Sequence, residues 1–121
     1  MANHGDYNHL ELPADDVERA RRFYAAVFGW QTSAMPGLDD YYLFRSGDGR
    51  GGAIGTRGGS APLTSRLYVQ VDSIEAALAA ANAHGGRTVE PRTPIPGQGW
   101  FAVLADSEGS ELGLYEGEAG A

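Results

Sequence analysis

The chain is written twice. Residues 9–30, HLELPADDVERARRFYAAVFGW, lie over residues 66–87, RLYVQVDSIEAALAAANAHGGR, at a shift of 57. Asp15 then falls on Asp72, Val17 on Ile74, Glu18 on Glu75, Ala20 on Ala77 and Gly29 on Gly86. Further on, DYYLFRSGDGRGGAIG (40–55) lies over WFAVLADSEGSELGLY (100–115) at a shift of 60, with Gly49 on Gly109 and Ile54 on Leu114. A repeat this long is two copies of one supersecondary unit and not a solenoid of short ones. Each half, at about 55–60 residues, is marginal as a free-standing fold. The two copies are therefore expected to form one domain over 1–121, with a first module at about 7–56 and a second at about 66–116.

Within the first copy, Tyr7–Leu12 alternates as a strand, with His9 and Glu11 on one face and Leu10 and Leu12 on the other. Pro13 and Ala14 are expected to end it. Asp15 and Glu18 read as a capping box, and Val17, Ala20, Phe23, Tyr24, Val27 and Phe28 follow at helical spacing as a broad apolar stripe. Phe23 and Trp30 are expected in the core. Gly29 is expected to stop the helix in the left-handed conformation. Strands at Trp30–Met35, Tyr41–Ser46 and Gly51–Thr56 complete the copy, the last two joined by a Gly47-Asp48-Gly49 turn.

A loose linker, Arg57–Ser65, separates this from the second copy. There the strand Arg66–Val71 carries Arg66, Tyr68 and Gln70 on one face, and Asp72 with Glu75 repeats the capping box. Ile74, Ala77, Leu78 and Ala81 form a slimmer stripe, stopped by Gly85-Gly86. A short strand Arg87–Glu90, a loop Pro91–Gly99 and strands Phe101–Ala105 and Glu111–Tyr115 around an Asp106–Gly109 turn finish the chain, with 116–121 as a solvated tail. Each copy thus reads βαβββ. The fold class is α+β: two tandem βαβββ modules forming a curved mixed sheet around a shared cleft, into which His9, Glu11, Arg66, Tyr68 and Gln70 have the parity to point.

Composition narrows the partners. Sixteen acids stand against nine basic residues, all arginine, for a net charge of −7. That balance disfavours nucleic acid, whose phosphates demand a basic face. No apolar run approaches the ~20 residues needed to span a bilayer, and MANHGDYNHL has no apolar signal segment, so a cytoplasmic protein without membrane contact is expected. The absence of cysteine excludes disulfides and thiolate chemistry. The Gly-rich stretch 47–59 precedes no helix, so it cannot use a helix dipole to cradle phosphate.

Paired βαβββ modules with the segments HLELPADDVERARRFYAAVFGW, VQVDSIEAALAAANAHGG and GWFAVLADSEGSELGLYE resemble the vicinal oxygen chelate superfamily of glyoxalase I, bleomycin-resistance proteins and extradiol dioxygenases. The resemblance spans nearly the whole chain. It implies the glyoxalase/bleomycin-resistance/dioxygenase fold, a small-molecule ligand and a homodimer. Metal-binding members carry four ligands, one on each of four strands, that hold a divalent ion as a Lewis acid against vicinal oxygens of the substrate. Carried onto this chain, those positions are His9, Ala53, Arg66 and Gly113. Only the first is a ligand type, and Arg66 is a permanent cation. A one-residue slip does not repair the set, so no metal and no other cofactor is expected.

Three functions remain open. One is a metal-free cleft that binds a small organic molecule, with Ala53 and Gly113 leaving room for the guest and His9, Glu11, Arg66, Tyr68 and Tyr115 lining it. The second is a metal-independent isomerase, epimerase or lyase in which His9 and Glu11 act as an acid/base couple and Arg66 as oxyanion partner. The third is a metal-dependent lyase or dioxygenase of the same superfamily. Structural roles compete with each assignment: a hydrogen-bonded His9, an Arg66–Glu11 ion pair, core packing for most aromatics. His4 is expected at the surface and His84 at the negative end of the second helix.

Overall fold

The computed structural model describes residues 3–47 and 50–118. It divides into two units of the same construction: Asn8–Arg66, and the segment up to Tyr7 together with Leu67 onward. Among the described residues there are eight strands and two helices, an α+β fold with mixed strand pairing. Among the described residues no helix is long and apolar enough to cross a membrane.

In the first unit the elements run β1 (Tyr7–Ala14), α1 (Val17–Phe28), β2 (Thr32–Ala34), β3 (Tyr41–Arg45) and β4 (Gly51–Thr56). Their sheet order is β2-β3-β4-β1. β1 and β4 are parallel, from His9↔Gly51 to Ala14↔Thr56, while β3 runs antiparallel to both β2 and β4. Parallel neighbours cannot be joined by a hairpin, so the connection leaves the sheet through α1, which covers one face. Leu12, Ala14, Tyr42, Phe44 and Ile54 point to that side and pack with Val17, Ala20, Tyr24 and Trp30. The opposite parity, His9, Glu11, Tyr41, Leu43, Gly51, Ala53 and Gly55, faces away from the helix.

The second unit repeats the plan with β5 (Arg66–Gln70), α2 (Ile74–Ala83), β6 (Arg87–Ile95), β7 (Gly99–Ala105) and β8 (Glu111–Glu116). Its order is β5-β8-β7-β6, with β5 and β8 parallel and the other pairs antiparallel. Val71, Ile74, Leu78, Ala102 and Leu114 form the core, backed by Val69, Ala77, Trp100 and Leu104. The two copies therefore share one topology strand for strand.

Several local expectations need correction. Both helices start one residue later than the capping boxes suggest: Asp16 accepts from Arg19 N–H at 3.0 Å and Ser73 from Ala76 N–H at 3.1 Å. The displacement is the same in both copies, and it frees Asp15 to pair with Arg57 at 2.8 Å. Gly29 does close α1 at φ 74°. Phe23 is not in the core but 57% exposed, with Val27 and Phe28 at 54% and 58%. At 100° per residue, Phe23 lies about 100° around the helix from Tyr24, beyond the strip that meets the sheet.

β1 continues through Pro13 to Ala14, since a proline suits extended backbone and forfeits only one donor. Likewise β6 runs through Pro91 and Pro94 as far as Ile95, with irregularities between Thr88, Glu90 and Thr93. It is the outermost strand of its four, where prolines and bulges cost least. The linker is tied down: Ala61 is buried, Ser60 Oγ donates to Asp40 O at 2.9 Å, and Arg57 donates to Leu63 O at 2.8 Å. His4 accepts at Nδ1 from Asp72 N–H at 3.1 Å, beside an N-terminal segment that bonds to Gln70 through Gly5 and Asp6. Of the expected turns, Asp106–Gly109 is present, with Asp106 accepting from Glu108 and Ser110 N–H, both at 2.9 Å. Asp48 and Gly49 of the other turn, and residues 119–121 of the tail, lie outside the described residues. Glu116, expected in the tail, ends β8 instead.

Candidate functional site

β1 brings His9 and Glu11 onto the face away from α1, two residues apart as the alternation requires. The structure joins them through a third residue, Tyr41 of β3. Its hydroxyl donates to Glu11 Oε2 at 2.6 Å and meets His9 Nε2 at 2.9 Å. The tyrosine and imidazole rings are stacked at 25°, with centroids 6.5 Å apart. Glu11 and Tyr41 are buried, 9% and 5% exposed, and His9 is half-buried. Burial pushes the His9 imidazole below its ordinary value, against the opposing pull of the Glu11 charge, so the ring is neutral near pH 7.

Ala53 stands on β4 in register with Glu11 and is fully buried. Next along the same face is Gly55, opposite Tyr41, where a Cβ would lie 3.0 Å from Tyr41 Cδ1. Tyr41 sits one strand beyond β4 as seen from β1, roughly 10 Å away at ordinary strand spacing. Only a long side chain lying across β4 can reach that far, and the small residues of β4 leave it the room.

Strands β5 and β8 hold the remaining candidates. Arg66 opens β5, half-buried, two residues before Tyr68 and on its face. Tyr68 is in register with Gly113 of β8 and the two touch: a Cβ added at Gly113 would lie 2.3 Å from the Tyr68 ring. The room that Gly113 was expected to leave for a guest is occupied by that ring. Tyr115 is two residues further on the same face, and its hydroxyl donates to the Gln98 carbonyl. Of the other aromatics, Tyr42, Phe44 and Trp100 pack under the helices, whereas Phe101 pairs with Tyr115 across β7 and β8.

At the far end of β8, Glu116 accepts from Ile74 N–H at 2.8 Å and from Arg92 at 3.1 Å, and Arg92 lies 4.0 Å over the Trp100 ring. The Ile74 amide, followed by Arg92, holds the Glu116 carboxyl below its usual range. This ties β8 and β6 to the start of α2. It is a structural clamp, on the helix side of its sheet.

The donor set does not suit a divalent ion. Ala53 and Gly113 have no donor atom in their side chains, Arg66 repels a cation, and among the described residues no three of His, Cys, Asp and Glu cluster as metal ligands. Tyr41 is the member of the cluster that no motif marks, although the repeat lays it over Phe101. Its sequence signal is weak: the first residue of a strand whose opposite neighbour, in GGAIG, is a glycine.

Residues 8–47 match the family described as bleomycin resistance protein-like N-terminal. CFP32 of Mycobacterium bovis, provisionally named a glyoxylase, is 34% identical over 103 residues, covering 83% of this chain and 40% of its own length. The chain thus spans two fifths of that relative. A glyoxylase-like domain-containing protein of Didymella fabae is 28% identical over 118 residues, covering 91% of this chain and 92% of the relative. A solved glyoxalase/bleomycin resistance protein/dioxygenase superfamily member from Vibrio splendidus matches with TM-score 0.67 at 13% identity, over 92% of this chain and 99% of that one. Module repeat, topology and relatives agree, and the chain belongs to the vicinal oxygen chelate superfamily, the group of glyoxalases, bleomycin-resistance proteins and extradiol dioxygenases.

Proposed function

We propose that this chain binds a small organic molecule without a divalent ion, at the sheet face that carries His9, Tyr41 and Glu11. The observation that carries the reading is the donor set, His9, Ala53, Arg66 and Gly113, in place of four ligands. What stands on the first unit's face is a polar cluster with one half-buried imidazole, in a mostly apolar surround that includes Leu43 and Ala53. Few, well-placed polar groups on an apolar wall are what fixes a small organic ligand. Arg66 remains a proposed ligand contact, Tyr68 and Tyr115 remain proposed ligand contacts on the second unit's own face, and a homodimer is part of the same proposal, open to sedimentation velocity.

Calorimetric titration in EDTA with bleomycin and with 4-nitrocatechol tests the reading. At least one probe is expected to bind with EDTA making no difference, and His9→Ala to weaken it about tenfold or more, near 1.4 kcal/mol. Stoichiometric Fe, Mn, Ni or Zn in the purified protein, or binding that appears only on adding such an ion, overturns it. Failure of both probes rejects the reading for their two ligand classes.

A second reading is favoured by one observation: burial keeps His9 neutral while a hydrogen bond orients its ring, the condition of a general base. The chain would then be a metal-independent isomerase, epimerase or lyase. Exchange of the proton α to the carbonyl of α-hydroxyketones with D2O, followed by NMR, separates the two. His9→Ala abolishes exchange if His9 is a base; no exchange above the buffer rate in the wild-type protein rejects this reading.

A further inference from the structure

A phenol has one proton to give, and Tyr41 stands between two groups that could take it. Glu11 offers its carboxyl oxygens as acceptors. Its Oε2 lies 2.6 Å from the Tyr41 oxygen, a length typical of a hydroxyl donating to a carboxylate. The proton of Tyr41 is thereby committed to Glu11. The contact at 2.9 Å to His9 Nε2 must then run the other way, with the imidazole N–H donating to the phenol oxygen. In a neutral imidazole, Nε2–H means that Nδ1 holds the lone pair.

We infer that Tyr41 is a positioning residue that holds His9 in its Nε2–H form, making Nδ1 the basic nitrogen, with Glu11 as the anchor of the relay and not a second base. Any group that pairs with Nδ1 must be a donor: a hydroxyl, an amine or an acidic C–H. The acid/base couple of His9 and Glu11 becomes a one-way hydrogen-bonded chain from the imidazole through Tyr41 to the carboxyl, beside the direct pull of the Glu11 charge. Room for the chain is made on β4, where Gly55 admits the Tyr41 ring. The inference deepens the proposed function by fixing which nitrogen of His9 is the acceptor, and rests on that reading only there.

The test needs no ligand. Two-bond proton–nitrogen correlation spectra of protein labelled with 15N-histidine at neutral pH report the tautomer, and His9→Gln assigns the signal by its loss. Wild-type His9 is expected as Nε2–H. Glu11→Gln keeps an acceptor for the Tyr41 proton and is expected to keep that form. Glu11→Leu removes the acceptor, turns the Tyr41 proton toward Nε2 and is expected to convert His9 to Nδ1–H. Tyr41→Phe is expected to give a mixture. An Nδ1–H form in the wild-type protein, or one unchanged pattern in both Glu11→Leu and Tyr41→Phe, overturns the inference. If Glu11→Leu fails to fold, the wild-type and Tyr41→Phe spectra still decide. Because the spectra are taken without ligand, the expected tautomers alongside silent probe titrations sink only the functional reading, and the reverse pattern sinks only this one.

Discussion

Gly113→Ala is expected to destabilise the protein although alanine is the better strand residue. The added Cβ would lie 2.3 Å from two carbons of the Tyr68 ring and 2.7 Å from a third, where carbons normally rest about 3.5–4.0 Å apart. The obstacle is a buried ring in register on the neighbouring strand, so relief requires moving the ring or the strand. Overpacking of this kind costs about 1–3 kcal/mol, and a gap more than an ångström short points to the upper end. Losing glycine's extra unfolded-state freedom returns about 0.5–1 kcal/mol. The net loss is about 2 kcal/mol, which at an m-value of about 1–3 kcal/mol/M lowers the urea midpoint by about 1 M. The decisive step is to repeat the substitution in Tyr68→Ala, which lacks every ring atom that the added Cβ would strike. There Gly113→Ala has nothing to strike and is expected to raise the midpoint slightly. An unchanged or raised midpoint in the wild-type background, or an equal loss in both backgrounds, refutes the reasoning.

Other expectations concern acid and helix ends. Glu116→Gln should cost about 1–3 kcal/mol at neutral pH, since the charged partner of the Ile74 amide and Arg92 is removed. The carboxyl is held below its usual value, so its contribution is present above about pH 4.5 and lost as pH falls through the folded value; melting curves of the variant should lack that acid loss. His9 titrates below its unfolded value of 6.5, so the unfolded chain takes the proton first and stability falls as pH drops from 6.5 toward the folded value. His9→Gln should flatten that part of the profile, and an unaltered slope would show that another group carries it. Asp16→Ala and Ser73→Ala should each cost about 0.5–2 kcal/mol as true caps, with Asp72→Ala costing less by the same denaturation assay.

Most of the fold was legible because it rests on patterns along the chain. Alternation put His9 and Glu11 together, helical spacing located both helices, and the repeat carried each feature from one copy to the other. The misses share a cause. Asp15 and Asp16 are both competent caps, and nothing local tells that Asp15 is engaged by the Arg57 guanidinium from 42 residues away. The apolar stripe of α1 is wider than the strip of sheet it meets, so Phe23 stays outside. Pro91 and Pro94 read as loop because nothing local tells that β6 is the outermost strand of its four.

The candidate site divides along the same line. Residue type alone says that Ala53 and Gly113 bring no side-chain donor, and Arg66 a permanent cation, to the positions that the resemblance assigns to metal ligands. It also determined the two-copy α+β plan, because periodicity and repeat are properties of the chain read in order. What fills the space beside Gly113, and what links His9 to Glu11, only the tertiary structure decided. Tyr41 reaches those residues from 32 and 30 positions away, over a strand that must be narrow at Gly55. Such a contact depends on strand order and register together, and neither is written at any one position of the sequence.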